Sequence, residues 1–293
     1  MAKTKIGFTL AKGGRSPLLC GDGSHRLLLN GDEGTHTSPY LVTKGSPRLI
    51  KRGFTLAEVL ITLGVIGVVA AVTMPTLIQN YKKHVVETRL QSQVAMWQNA
   101  IRMAESKHGF INEWSNCAVT EEGNANFKRE CNENFFKTYL APELKVVKIC
   151  GYDDFYECWT PPKALTSDDT SYLSLSAARV LGVVTALLSN GSSMYLWTGG
   201  MEQGSAYEPH VQIRFDIDGP KRGPARLGGD VFSGRIDLNT PKSVISFLNG
   251  QDNLMSHSEG CSATTTGSYA GNYCGALIRA NGWKIPKDYP FKF

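Results

Sequence analysis

The chain opens with polar and small residues and no sustained apolar period. Stretches such as GGRSPLLCGDGSH and LNGDEGTHTSP within residues 1–52 read as loop. At Phe54 the pattern changes. The 25 residues from Phe54 to Ile78, FTLAEVLITLGVIGVVAAVTMPTLI, carry a single charge, Glu58. As a helix this run is long enough to cross a hydrocarbon core of ~30 Å. Beyond it the apolar positions thin out and become periodic. Val86, Leu90, Val94, Trp97, Ile101 and Ala104 recur at spacings of three and four among Lys, Glu, Arg and Gln, as one face of a helix requires. Pro75 should kink a helix, yet the pattern resumes after it, and Lys107-His108-Gly109 makes a C-terminal stop. The pattern therefore predicts one kinked helix from Phe54 to His108, ~80 Å long at 1.5 Å per residue. Its first half suits lipid, and its second half has an apolar stripe to lay on a domain.

After Gly109 the period shortens. Asn132–Leu140 reads as a short helix. The segment from Thr185 to Trp197 reads as two strands around Asn190-Gly191, the strongest short hairpin signal. VQIRFDI (Val211–Ile217) alternates as a half-buried strand should, and Val231–Leu238 and Ser243–Leu248 are further strand candidates. A long helix followed by antiparallel strands is an α+β arrangement. The predicted organisation is a segment 1–53, a helix 54–109 that is transmembrane over about 54–78, and a globular domain 110–293.

The net charge of +5 does not describe that domain. Residues 1–53 hold nine Lys/Arg against three acids, which leaves −1 for the rest. The basicity therefore marks no nucleic-acid surface, and no nucleic-acid partner is expected. Lys44, Arg48, Lys51 and Arg52 precede the apolar run, which by the positive-inside rule keeps the N-terminus cytoplasmic and sends the rest outward. Lys82 and Lys83 on the far side work against this asymmetry without reversing it. The cysteines divide at the same point. Cys20 has no apolar run before it, which rules out a lipoprotein signal. Cys117, Cys131, Cys150, Cys158, Cys261 and Cys274 remain, an even number with no metal-ligand spacing, consistent with disulfides in an oxidising compartment. Six cysteines admit many connectivities. Closure entropy favours neighbours in sequence: Cys117 with Cys131, Cys150 with Cys158, Cys261 with Cys274.

Lys51-Arg52-Gly53-Phe54-Thr55-Leu56-Ala57-Glu58-Val59-Leu60-Ile61 resembles the processing and methylation site of type IV pilins and type II secretion pseudopilins. In that family a basic leader ends in Gly. A Phe follows, then a Glu five residues into the mature chain and an unbroken apolar helix with a proline about twenty residues in, matched here by Pro75. The resemblance covers residues 51 to about 80, and the leader of 53 residues is longer than is usual. It implies that a prepilin peptidase cuts between Gly53 and Phe54 and methylates the new amine of Phe54. It also implies partnership with other pilin or pseudopilin subunits, an inner-membrane assembly platform and membrane lipid. The expected location is a single pass through a bacterial inner membrane, with the C-terminal domain periplasmic or extracellular in a filament. A similar GFTLA at residues 7–11 runs into Lys12-Gly13-Gly14 and cannot insert in lipid.

A carboxylate at membrane depth costs ~3 kcal/mol on insertion scales, so Glu58 should be paired or functional. The resemblance implies that it pairs with the N-terminal amine of a neighbouring subunit and sets the register between helices. The alternative is a Glu near the interface that reaches water unpaired. Gly64 and Gly67 would permit close helix approach. No nucleophile elbow, Walker loop or dinucleotide fingerprint is present, and no catalytic role or cofactor is expected. Asp216, Asp218 and Asp230, in FDIDGPKRGPARLGGDVF, have the hard oxygens and glycine turns that calcium uses, and major pseudopilins carry calcium in a C-terminal loop. Against this, the spacing is not an EF-hand, Lys221 and Arg222 lie close, and a solvated turn at Asp218-Gly219 accounts for the residues. Trp159, Trp197, Tyr195, Tyr269, Tyr273 and Trp283 could line a groove or fill a core. The function expected is a filament subunit. The alternative is a tethered binding protein or enzyme with a pilin-type anchor.

Overall fold

The computed structural model describes residues 53–117, 125–167, 171–203, 206–223, 225–239, 245–246, 254–255 and 259–293. The leader through Arg52, with Cys20 and the first GFTLA copy, lies outside these, as do parts of the Ser243–Leu248 strand candidate.

Helix α1 runs from Leu56 to His108 without a break, with Pro75 inside it. It starts where Thr55 adopts an extended backbone and its hydroxyl accepts the N–H of Glu58. It ends at Gly109, whose φ of +82° ends the helical path while its N–H still reaches the Glu105 carbonyl. Two regimes divide this one helix. The apolar residues from Phe54 to Ile78 are exposed apart from the half-buried Ala70, and burial begins at Glu87 and then recurs at Leu90, Gln93, Trp97, Ala100, Ile101 and Ala104. Leu90, Trp97, Ile101 and Ala104 of the stripe read in the sequence are buried on the domain, Val86 and Val94 are only partly buried against it, and Glu87, Gln93 and Ala100 join the buried face. Glu87 fixes its near end, accepting Lys284 Nζ at 2.9 Å and the Ile285 N–H at 2.8 Å.

The domain is built on a six-stranded antiparallel meander, in the spatial order of the chain: β1 (Val146–Cys150), β2 (Val184–Leu188), β3 (Ser193–Gln203), β4 (Ala206–Asp216), β5 (Val231–Asp237) and β6 (Ile245–Ser246). The β2–β3 turn is the Asn190-Gly191 pair, with Gly191 at φ +85° and the Asn190 side chain accepting the Ser192 N–H. Successive side chains alternate between faces. Met194, Leu196, Val211, Ile213, Phe215 and Ile236 join the core that α1 closes, with Trp97 and Phe215 ring centroids 6.0 Å apart.

The other face of the sheet departs from expectation. Val211–Ile217 was predicted to be half-buried, but every residue in it is buried. The β1–β2 connection, with α3 (Phe155–Cys158) and α4 (Leu175–Leu181), covers that face through Phe155, Trp159, Leu173 and Ala178. Arg214, 3% exposed, is held there by the Tyr172 hydroxyl and the Gln212 side-chain Oε1, to both of which it donates, and lies near the Trp197 ring. The short helix read at Asn132–Leu140 is longer. It begins as α2 (Ala125–Phe135) and continues as a π-helical turn over Phe136–Leu140, which brings Tyr139 onto Trp114 at 4.6 Å. Helix α5 (Cys274–Ala280) completes the core.

Candidate functional site

The N-terminal motif becomes geometry at Thr55. The Thr55 N–H donates to Glu58 Oε2 at 2.8 Å, the Thr55 hydroxyl to the same oxygen at 2.9 Å, and the Glu58 N–H returns to the Thr55 hydroxyl at 3.2 Å. This is a reciprocal capping box, which satisfies two of the amides that a helix start leaves free. Glu58 therefore has a local partner that neither sequence reading included, although Thr-x-x-Glu before an apolar run was a legible signal for it. Both bonds fall on Oε2, so Oε1 stays available to another group. Phe54 is 88% exposed, and nothing lies within 4 Å of where a Cβ would stand on Gly53, Gly64 or Gly67. Among the described residues α1 is one helix long and apolar enough to cross a membrane.

The six cysteines lie as predicted from loop closure. Cys117 bonds Cys131, Cys150 bonds Cys158 and Cys261 bonds Cys274. The first ties the segment after α1 to α2, the second β1 to α3, and the third a loop to the start of α5.

The acidic loop is not the solvated turn expected of it. Asp216, at the end of β4, is 1% exposed and accepts the Gly219 N–H at 2.8 Å. Gly219 is required there: at φ +89° its missing side chain lets it close on the β2–β3 turn, where an added Cβ would stand 2.1 Å from the Gly191 carbonyl. Burial, reinforced by the charge of Asp230, raises the Asp216 pKa well above the carboxylate range. Burial likewise pushes Asp230 up to about 7, against the pull of the Arg226 N–H on its carboxylate. No group of three acid, Cys or His side chains among the described residues is placed to hold a metal ion.

An acid whose pKa rises on folding binds its proton more tightly in the folded state. Its contribution is complete below the unfolded value of 3.8 and is lost as pH rises towards 7. The unfolding temperature should therefore be higher at pH 5 than at pH 8, and Asp230→Asn should narrow that gap. Thermal melts of both chains at the two pH values check this, and an unchanged gap in the variant would rule it out.

The aromatics divide. Trp159 and Tyr195 are fully buried and Tyr273 nearly so, while Trp197 and Trp283 are half-buried. Tyr269 is exposed and stacks on Tyr172 at 4.1 Å. They do not form one groove.

Comparison with known families gives two matches. The prokaryotic N-terminal methylation motif, the prepilin-type cleavage and methylation signature of type IV pilins and pseudopilins, matches residues 48–74. A family of unknown function (DUF6613) matches residues 76–200 and 240–293, more than half of the chain. No curated protein and no solved structure matches. The motif and the long apolar helix make this a membrane-anchored protein of pilin type, and the motif implies processing by a prepilin peptidase and assembly with other pilin subunits. From Thr76 onwards the matched residues place the chain in DUF6613, so it belongs to that family of unknown function, carried on a pilin-type anchor.

Proposed function

We propose that the chain is a structural subunit, a pseudopilin or pilin-like protein, of a type II secretion or type IV pilus filament, and that it is itself no enzyme. The observation that carries this reading is the junction Arg52-Gly53-Phe54 set directly before a capped, lipid-length helix. A prepilin peptidase cuts after Gly53 and methylates Phe54. The mature chain waits in the inner membrane with its N-terminus cytoplasmic and its disulfide-bonded domain outside, and an assembly platform draws it into a filament with other subunits. Three disulfides support the exported side, because such bonds persist where the compartment is oxidising.

Mass spectrometry of chain extracted from membranes of its own cells should find a mature N-terminus at N-methylated Phe54, and a processing-deficient Gly53→Ala variant should retain the leader. An N-terminal peptide beginning at Met1 in cells with active peptidase would overturn the reading. Correct processing without recovery of the chain in sheared filaments would leave the tethered binding protein.

A further inference from the structure

Where α1 leaves the apolar run, a cleft of about 340 Å³ opens between the helix and the segment Phe291–Phe293. Lys82, Arg89 and Lys292 line it, together with the apolar sides of Tyr81, Val85 and Phe293. Its charges are unevenly matched. Arg89 faces the Asp218 carboxylate at 3.9 Å, and the other acid in the cleft, Asp230, is engaged by the Arg226 N–H. Among the described residues, the side chains of Lys82 and Lys292 make neither an ion pair nor a hydrogen bond. The mouth of the cleft is therefore positive and its walls are apolar.

Position on the chain decides what such a cleft meets. At 1.5 Å per residue, Lys82 stands roughly 6 Å beyond Ile78 along the helix axis. The headgroup layer extends about 5–7 Å beyond the hydrocarbon on each side. Lys82 therefore lies at headgroup depth. Arg89 lies farther out, with its side chain tilted back towards the membrane as helical side chains are. A ligand that is anionic at one end, apolar at the other and concentrated at that depth is a phospholipid.

We propose that this cleft seats the headgroup of an anionic phospholipid. Lys82 and Lys292 hold its phosphate, the Arg89–Asp218 pair forms the floor, and Tyr81, Val85 and Phe293 cover the glycerol and first acyl carbons. This gives a role to Lys82, which opposes the charge asymmetry that orients the span. Before assembly the lipid would seat the domain on the bilayer, and extraction into a filament would have to strip it away. The inference rests on the reading of Leu56–Ile78 as membrane-embedded, and carbonate extraction of the chain from membranes tests that separately. It does not depend on filament formation.

The test uses the full processed chain, delipidated in mild detergent and titrated with phosphatidylglycerol or with phosphatidylcholine of the same acyl chains. Bound lipid is counted by native mass spectrometry. Two lysines at the surface should favour the anionic lipid by about tenfold or more at low salt. Lys82→Gln/Lys292→Gln should abolish that preference, and Lys128→Gln/Lys137→Gln, on α2 and the π-helical turn after it, should keep it. Lys82 and Lys292 have no protein partner to lose, and an unchanged melting temperature confirms that the variant is folded. Equal binding of the two lipids by the native chain would overturn the proposal. So would a preference that survives the first double substitution, or one that falls equally in both.

Discussion

Glu58→Ala yields a chain that is cut, methylated and inserted but does not enter filaments. Removing a carboxylate from a segment at membrane depth makes insertion easier, by ~3 kcal/mol at the helix centre and less near the interface, so processing and anchoring should survive. What is lost depends on the partner of Glu58. If that partner is only Thr55, the loss is a capping box, and Thr55→Ala should do the same damage. Glu58→Gln, which keeps a carbonyl oxygen for the Thr55 N–H, should do little. If a neighbouring Phe54 amine binds the free Oε1, the loss is an ionic hydrogen bond of roughly 1.5–3 kcal/mol, tenfold or more in affinity for each added subunit. Glu58→Gln should then fail as completely as Glu58→Ala, while Thr55→Ala assembles. We expect the second pattern. Pelleting of sheared filaments, with mature protein quantified in the membrane fraction, separates the two. Wild-type filament from fully processed Glu58→Ala would remove any assembly role from this carboxylate.

Loss of the Cys261–Cys274 bridge should cost the domain the most of its three disulfides. The bond spans 13 residues, for which loop-closure entropy gives about 3 kcal/mol. Both cysteines are fully buried, and the bridge fixes the loop before α5 to the helix itself, whose Cys274, Ala276 and Ile278 are core residues. The close approach of Gly228, where an added Cβ would meet Cys274 Sγ at 2.5 Å, shows how little room the site has for a replacement. Cys261→Ala/Cys274→Ala should lower the urea midpoint of the full chain by the equivalent of about 3 kcal/mol. An unchanged midpoint would show that the core holds α5 without the bridge.

Local signals were legible in the sequence. The lipid-length run, the stripe from Leu90 to Ala104, the Asn190-Gly191 hairpin and the pairing of neighbouring cysteines each depend on residues close together in the chain. What was missed depends on distant ones. Strand β1 escaped because VVKIC follows charged Glu143-Leu144-Lys145 and has no alternation of its own; it is a strand because β2 pairs with it in antiparallel register. Val211–Ile217 was assigned a solvent face because Gln212, Arg214 and Asp216 are polar. That face is covered by a connection more than thirty residues away in the chain, and nothing in a period-two pattern reports what lies above it. The acidic loop follows the same rule: Gly219 packs on the Gly191 turn at the end of the neighbouring strand pair, and Asp216 beside it is buried, a contact between residues nearly thirty apart in the chain. At the site, Glu58 was found through its rarity in an apolar run. Its bond to Thr55 is set by the Thr-x-x-Glu spacing alone.

Because α1 continues without interruption from the apolar run into the domain, the anchor and the domain form a single shaft, and membrane-side phase is geared to domain-side phase. Each residue turns a helix by about 100°. One residue inserted between Ile78 and Glu87 would swing the face of the domain by about 100° relative to the lipid-facing side of Glu58, with only about 1.5 Å of lift. Seven inserted residues would restore the facing to within about 20° while raising the domain by about 10 Å. Azimuth and height are thus separable quantities in this protein, and the length of the shaft sets both.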